Sequence, residues 1–157
     1  MALSRRFPIG HDVVFSHGSY LVNEVVPVVD FDRSTKDNKV QAVDPDSGLL
    51  LWSVDVLDAD PEAKRSAKTV AVKIAAKVQP VPPAGDGTSP FTPVVFDGLT
   101  ALPWIEKVGE DFSRVSWSYK AEGLRAPGKT DTGTTATKSD GKSSTNSASS
   151  SSSSTAA

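Results

Sequence analysis

Two segments of strict period-two alternation, Leu50 to Leu57 and Lys68 to Ala76, constrain the fold more than any other feature of this chain. In the first, Leu50, Trp52, Val54 and Val56 fall on one side, with Ser53 and Asp55 on the other. In the second, Val70, Val72 and Ile74 alternate with Thr69, Ala71 and Lys73. Successive side chains of a strand point to opposite faces, so each segment reads as a half-buried strand, whereas a helix would scatter the same residues around its circumference. The connection between them, Asp58 to Ser66 (DADPEAKRS), has room for one helical turn, with Asp60 as its cap and Pro61 at its first position. The run QPVPP, Gln79 to Pro83, then denies a sheet its backbone donors and opens a long exposed connection that reaches Pro93.

The rest of the body extends this pattern. Tyr20 to Phe31 is β-prone, with Pro27 marking an edge, a bend or a bulge. Lys39 to Val43 is turned back into Leu50 to Leu57 by Asp44-Pro45-Asp46-Ser47-Gly48, because proline presets φ, aspartate bonds nearby backbone and glycine accepts positive φ. Val94 to Asp97 and Thr100 to Ile105 flank Gly98 as a bent pair. Arg114 to Ala121 places Val115, Trp117, Tyr119 and Ala121 on one face, and Arg114, Ser116, Ser118 and Lys120 on the other. The expectation is an all-β fold: a small OB-like barrel of six or seven strands, with a β-sandwich as the alternative that strand count alone leaves open.

The domain boundaries follow from composition. Residues 1–12 are expected to be a flexible amino terminus and residues 13–125 the barrel. Residues 126–157, which lack Val, Ile, Leu, Met and aromatic residues and end in a serine run, are expected to form a disordered tail. The chain contains no cysteine, no apolar stretch of membrane-spanning length and no secretory leader pattern, and the expected compartment is the cytoplasm. A net charge of −2 supplies no global attraction for nucleic acid, so any such contact rests on a local basic patch.

The chemistry-bearing residues point away from catalysis. His11 and His17, with Asp12, fall short of a metal-ligand set. Asp44, Asp46 and Gly48 lack the distal glutamate of a calcium loop and read as a tight turn. Asp55, Asp58, Asp60 and Glu62 are followed at once by Lys64, Arg65 and Lys68, the pattern of a solvated surface loop. With no nucleophile elbow and no phosphate-binding loop, the expectation is a protein that is not an enzyme and carries no metal or cofactor. Binding surfaces rank higher. Trp52, Trp104, Trp117, Tyr20 and Tyr119 lie near Lys39, Lys73, Arg114 and Lys120, as aromatics and cations do where single strands stack on a barrel, although apolar neighbours favour core packing for each tryptophan. The expected contacts to nucleic acid or a partner are Lys64, Arg65, Lys68, Lys73, Arg114 and Lys120.

Five motifs occur in order: HG at His17-Gly18, VxDFD at Val28 to Asp32, LWxVDVxDADPEA at Leu51 to Ala63, VKIAA at Val72 to Ala76 and QPVPP at Gln79 to Pro83. In this combination, from about Val13 to Pro127, the chain resembles the small actinobacterial proteins described as plasmid replication, integration and excision activators. The resemblance implies an accessory or regulatory protein of an integrative conjugative element or plasmid. Its expected partners are DNA, single- or double-stranded, or the element's replication and recombination proteins, with no membrane. It brings no catalytic motif. A second expectation is a protein-interaction or assembly module, in which an uncovered strand such as Arg114 to Ala121 pairs with a partner or a second copy.

Overall fold

A computed structural model describes residues 4–128. They form a mostly β structure with almost no helix: nine strands join in one curled sheet instead of the two facing sheets of a sandwich. The strands are β1 (Phe7–Pro8), β2 (Ser19–Leu21), β3 (Val26–Pro27), β4 (Leu51–Asp58), β5 (Thr69–Ala75), β6 (Pro93–Asp97), β7 (Thr100–Lys107), β8 (Ser113–Ala121) and β9 (Gly123–Arg125). A four-residue helix, α1 (His11–Val14), and a 3-10 turn (Arg65–Ala67) complete the set. None of the described helices is long and apolar enough to cross a membrane. Of the tail expected over residues 126–157, residues 129–157 lie outside the described residues.

The two alternating segments become β4 and β5, paired antiparallel from Leu51↔Ala75 to Leu57↔Thr69. β5 then pairs in parallel with β8, Val72 opposite Tyr119 and Ile74 opposite Ala121. The partners of β8 and β9 come from one bent run of chain. Thr100↔Lys120 and Asp97↔Gly123 keep a single antiparallel register across the break between β6 and β7. The bend is made at Gly98, whose φ of +59° favours a residue without a Cβ. β6 also pairs with β2, and β2 with β4, so a circuit of pairings runs through β2, β4, β5, β8–β9 and β6–β7 back to β2.

This curl has a dry inner side. Trp52, Val54 and Val56 of β4 meet Val72 and Ile74 of β5, Val94 and Phe96 of β6, and Ala121 at the end of β8, all buried. Burying a large apolar side chain contributes roughly 1.5–3 kcal/mol, so this cluster dominates the stability of the body. The Trp52 indole N–H donates to the Ala76 carbonyl at 3.1 Å, leaving no polar atom of that ring unmatched.

Three sequence expectations are revised. The run Tyr20 to Phe31 is not one strand: between Leu21 and Val26 the chain takes five steps while its partner β4 takes three, from Val56 to Ser53. The surplus residues bulge and drop Val25 into the core. Lys39 to Val43 contributes only bridges, Val29↔Gln41 and Val43↔Leu50. The amino-terminal segment belongs to the folded body from Phe7 onward, because β1 pairs with β7 (Phe7↔Ala101), the Ile9 N–H donates to the Leu99 carbonyl, and Ile9 packs on the core. The apolar Phe7 and Ile9 find a sheet edge at β7 and a place against the core.

Candidate nucleic-acid interface

Because β4 and β5 bury one face, their other residues form an outward surface that β8 and β7 extend. Leu51, Ser53 and Asp55 sit beside Ala71, Lys73 and Ala75. Lys73 lies opposite Lys120, which lies opposite Thr100. On β7 and β8 the same alternation brings Leu102 and Trp104 opposite Ser118 and Ser116. A groove of about 860 Å³ follows this surface, lined among others by Arg5, Arg6, Lys73, Leu102, Trp104 and Lys120. An adjoining hollow of about 480 Å³ shares Lys73, Leu102 and Trp104, and adds Ser53, Trp117 and Tyr119. Trp104 therefore stands where the two concavities meet, with 47 % of its surface exposed.

The charges along the groove are unequal in availability. The Lys120 ammonium donates to Asp44 Oδ1 at 2.8 Å and to Asp46 Oδ2 at 3.0 Å. Burial alone would push the Asp44 carboxyl up, but the hydrogen bonds from Lys120 and Ser47 and the charge of Lys120 hold it below the usual carboxylate range. Burial likewise works against the charge on Lys120, and the two aspartates outweigh it, so its ammonium is held more tightly than that of a free lysine. This trio is internally neutralised apart from one negative charge. Arg6 donates to the Thr100 hydroxyl and the Ser118 carbonyl, both at 3.4 Å, which fixes the amino-terminal segment across β7; it makes no ion pair among the described residues, although Asp44 and Asp46 line the same groove. Lys73 is exposed and makes no ion pair among the described residues. Arg5, Arg6 and Lys73 are thus the cations a polyanion would meet. Burial, aided by the negative charge of Asp58, pushes the Tyr119 phenol up, so that ring is neutral beside Lys73 at physiological pH.

The expected contact residues divide by location. Lys73, Arg114 and Lys120 share the outward surface. Arg114 donates to Glu106 Oε2 at 2.7 Å; this bond, with a second from the Ser116 hydroxyl, draws the Glu106 carboxyl below its ordinary value. Lys64 and Arg65 are exposed in the connection between β4 and β5, and Lys68 is half-buried where its carbonyl accepts from the Asp58 N–H; none of the three lines the groove. The expected helical turn there reduces to Asp60 Oδ1 accepting the Glu62 N–H, followed by the 3-10 turn.

Core packing was the favoured expectation for each tryptophan, and it holds for Trp52 alone. Trp104 and Trp117 are about half exposed because the pairing of β1 with β7 ends at Phe7↔Ala101 and that of β5 with β8 at Val72↔Tyr119, and no further described strand pairs with β7 or β8 beyond those points. Sequence reasoning also missed Arg5 and Arg6. The signal that points to them is Phe7 and Ile9, apolar residues that anchor the segment on which the arginines lie.

The other constellations resolve as structural. The Asp44 carboxylate accepts from the Ser47 N–H and hydroxyl, an Asx turn. His11 Nδ1 accepts the Phe96 N–H at 3.2 Å, while His17 lies across the surface beside Asp60 at 3.9 Å. Among the described residues no three His, Asp or Glu side chains converge as metal ligands would. No protein-family model, curated protein or solved structure matches the chain.

Proposed function

We propose that this chain is a non-enzymatic accessory protein of a plasmid or integrative element, acting in the cytoplasm by binding single-stranded DNA on an OB-like barrel. The observation that carries the reading is the placement of the half-exposed Trp104 ring in a groove with Arg5, Arg6 and Lys73. Single strands are held by aromatic platforms that stack bases beside cations that track the backbone, and a groove of this kind needs no net positive charge on the whole protein.

The OB-like assignment is supported by the pairing circuit. Its five members are β2, β4, β5, the β6–β7 run and the β8–β9 run, all antiparallel neighbours except for the parallel contact of β5 with β8. In barrels of that type the second and third strands, with the connections after the first and the fourth, bind oligonucleotides. Here those strands are β4 and β5, and the connection after the fourth is the turn between Lys107 and Ser113. The resemblance to replication, integration and excision activators supplies the biological setting: replication and excision both expose single strands.

The test is fluorescence anisotropy of a labelled oligonucleotide of roughly 16 nucleotides, single-stranded and duplex, with the full chain. Single-stranded binding that weakens steeply between about 50 and 200 mM salt, and weakens at least tenfold in Trp104→Ala, is the expected result. Absence of binding at the lower salt, or an unchanged affinity in Trp104→Ala, overturns the reading.

A further inference from the structure

The opposite face of the same two strands presents a different surface. Beyond Ala101 and Tyr119, β7 and β8 have only each other as partners among the described residues, and they project as a two-stranded ribbon that turns between Lys107 and Ser113. On the face that continues from the core residues Ala101 and Ala121, the ribbon carries Pro103 opposite Trp117 and Ile105 opposite Val115. Ile105 is 71 % exposed, Val115 63 %, Trp117 48 %, and Phe7, which meets the Trp117 ring edge-on at 6.0 Å, 38 %. Among the described ribbon residues of this face, no charged side chain lies between Ala101 and Lys107. Lys107 stands only at the far end, and Glu106 and Arg114 neutralise each other on the reverse face.

We infer that this apolar face is the interface between two copies of the chain, packed face to face about a two-fold axis. Three observations support that occupant. The first is area. At the exposures given, the four side chains present roughly 450 Å² of apolar surface. A standard interface buries about 800 Å² per partner, of which about 56–65 % is non-polar, so the patch supplies what one half of such an interface needs.

The second is charge. An uncharged patch does not complement nucleic acid or an ionic peptide, but it is self-complementary, as a two-fold contact requires when one patch meets itself. The third is the stability of the ribbon. An isolated two-stranded ribbon is marginal in water and needs a covering layer. A second copy is the one cover present wherever the chain itself is made. The interface leaves Trp104 on the reverse face, so the groove with Arg5, Arg6 and Lys73 stays open, while the smaller hollow shares Trp117 with the interface. The inference stands apart from the nucleic-acid reading and fails or holds without it.

The experiment measures the mass of the full chain by light scattering and sedimentation between about 1 and 100 μM, where a dimer equilibrium shows itself by mass action. A mass approaching twice 16.5 kDa at the upper end, falling to 16.5 kDa throughout in the Ile105→Lys/Val115→Lys variant with its far-UV circular dichroism unchanged, is the expected result. Monomer across the range, or a variant that still dimerises, overturns it. Should that variant fail to fold, the absence of cysteine from the chain allows a second measurement. Ile105→Cys must form a disulfide-linked dimer under mild oxidation and the distant Phe31→Cys must not. Equal linkage in both, or none in the first, overturns the inference.

Discussion

Lys120 and Asp44 are 76 residues apart in sequence, yet the lysine ammonium lies 2.8 Å from Asp44 Oδ1, with the aspartate only 3 % exposed. The contact ties the turn before β4 to the carboxy-terminal end of β8. A residue that alternation alone nominates for nucleic-acid contact is thereby committed to holding the fold.

Removing one member of this pair exposes its worth. Lys120→Met strands a carboxylate that water barely reaches, and breaking a buried pair in this way costs about 3 kcal/mol. A urea unfolding curve should show the midpoint falling with an unchanged slope, and an effect below about 1 kcal/mol would mean that the pair is solvated.

The same pair sets a pH window. The Asp44 carboxyl is depressed in the folded state, so its contribution is present above its ordinary value of 3.8 and is lost as pH falls through the lower folded value. Lys120 is raised, so its contribution is complete below its ordinary value of 10.5 and is lost as pH rises through the higher folded value. In a comparison of wild type with the Asp44→Asn/Lys120→Met double variant, the stability difference should be flat between these limits and shrink outside both.

His11 predicts a separate step. Burial lowers its pKa first of all, with Asp12 opposing, Arg125 reinforcing and Asp97 opposing; in the neutral ring Nδ1 is free to accept the Phe96 N–H. A histidine depressed on folding contributes stability that is present above 6.5 and is lost as pH falls through the folded value. Thermal melts of the wild type should therefore drop as pH falls from about 7 to 5, a range set by the ordinary histidine pKa. His11→Phe should be less stable by about 1 kcal/mol for the lost hydrogen bond and should lack the step.

Gly98 predicts a backbone effect. At φ +59° an added Cβ is strained whatever the space, and it would also meet the Glu122 side chain at 2.7 Å. That side chain is flexible and yields, so the backbone decides: Gly98→Ala should cost about 1–2 kcal/mol, read as a lowered melting temperature.

The groove predicts a graded series in anisotropy titrations. Trp104→Ala should lose about 1–3 kcal/mol of stacking. Lys73→Ala should lose less and reduce the salt slope by about 0.7, the share of one phosphate contact on a single strand. Lys64→Ala/Arg65→Ala, outside the groove, should alter neither; an effect as large as that of Lys73→Ala would move the interface to the β4–β5 connection.

The sequence by itself determined the all-β character, the two alternating strands β4 and β5 with their buried faces, and the bend at Gly98. Each is written in local alternation or in a turn residue, and neighbouring residues enforce it without distant help. Only the tertiary structure decided the rest. Alternation in Arg114 to Ala121 reports which residues share a face, but whether that face is covered depends on where the pairing of β5 and β1 with this ribbon stops. Ala121 is therefore core while Trp117, four residues earlier on the same face, is half in water. Likewise a lysine's charge is local but its partner is not: Lys73 and Lys120 are register neighbours of the same residue type, and only the arrival of Asp44 and Asp46 from a distant turn leaves one available to a ligand and the other engaged.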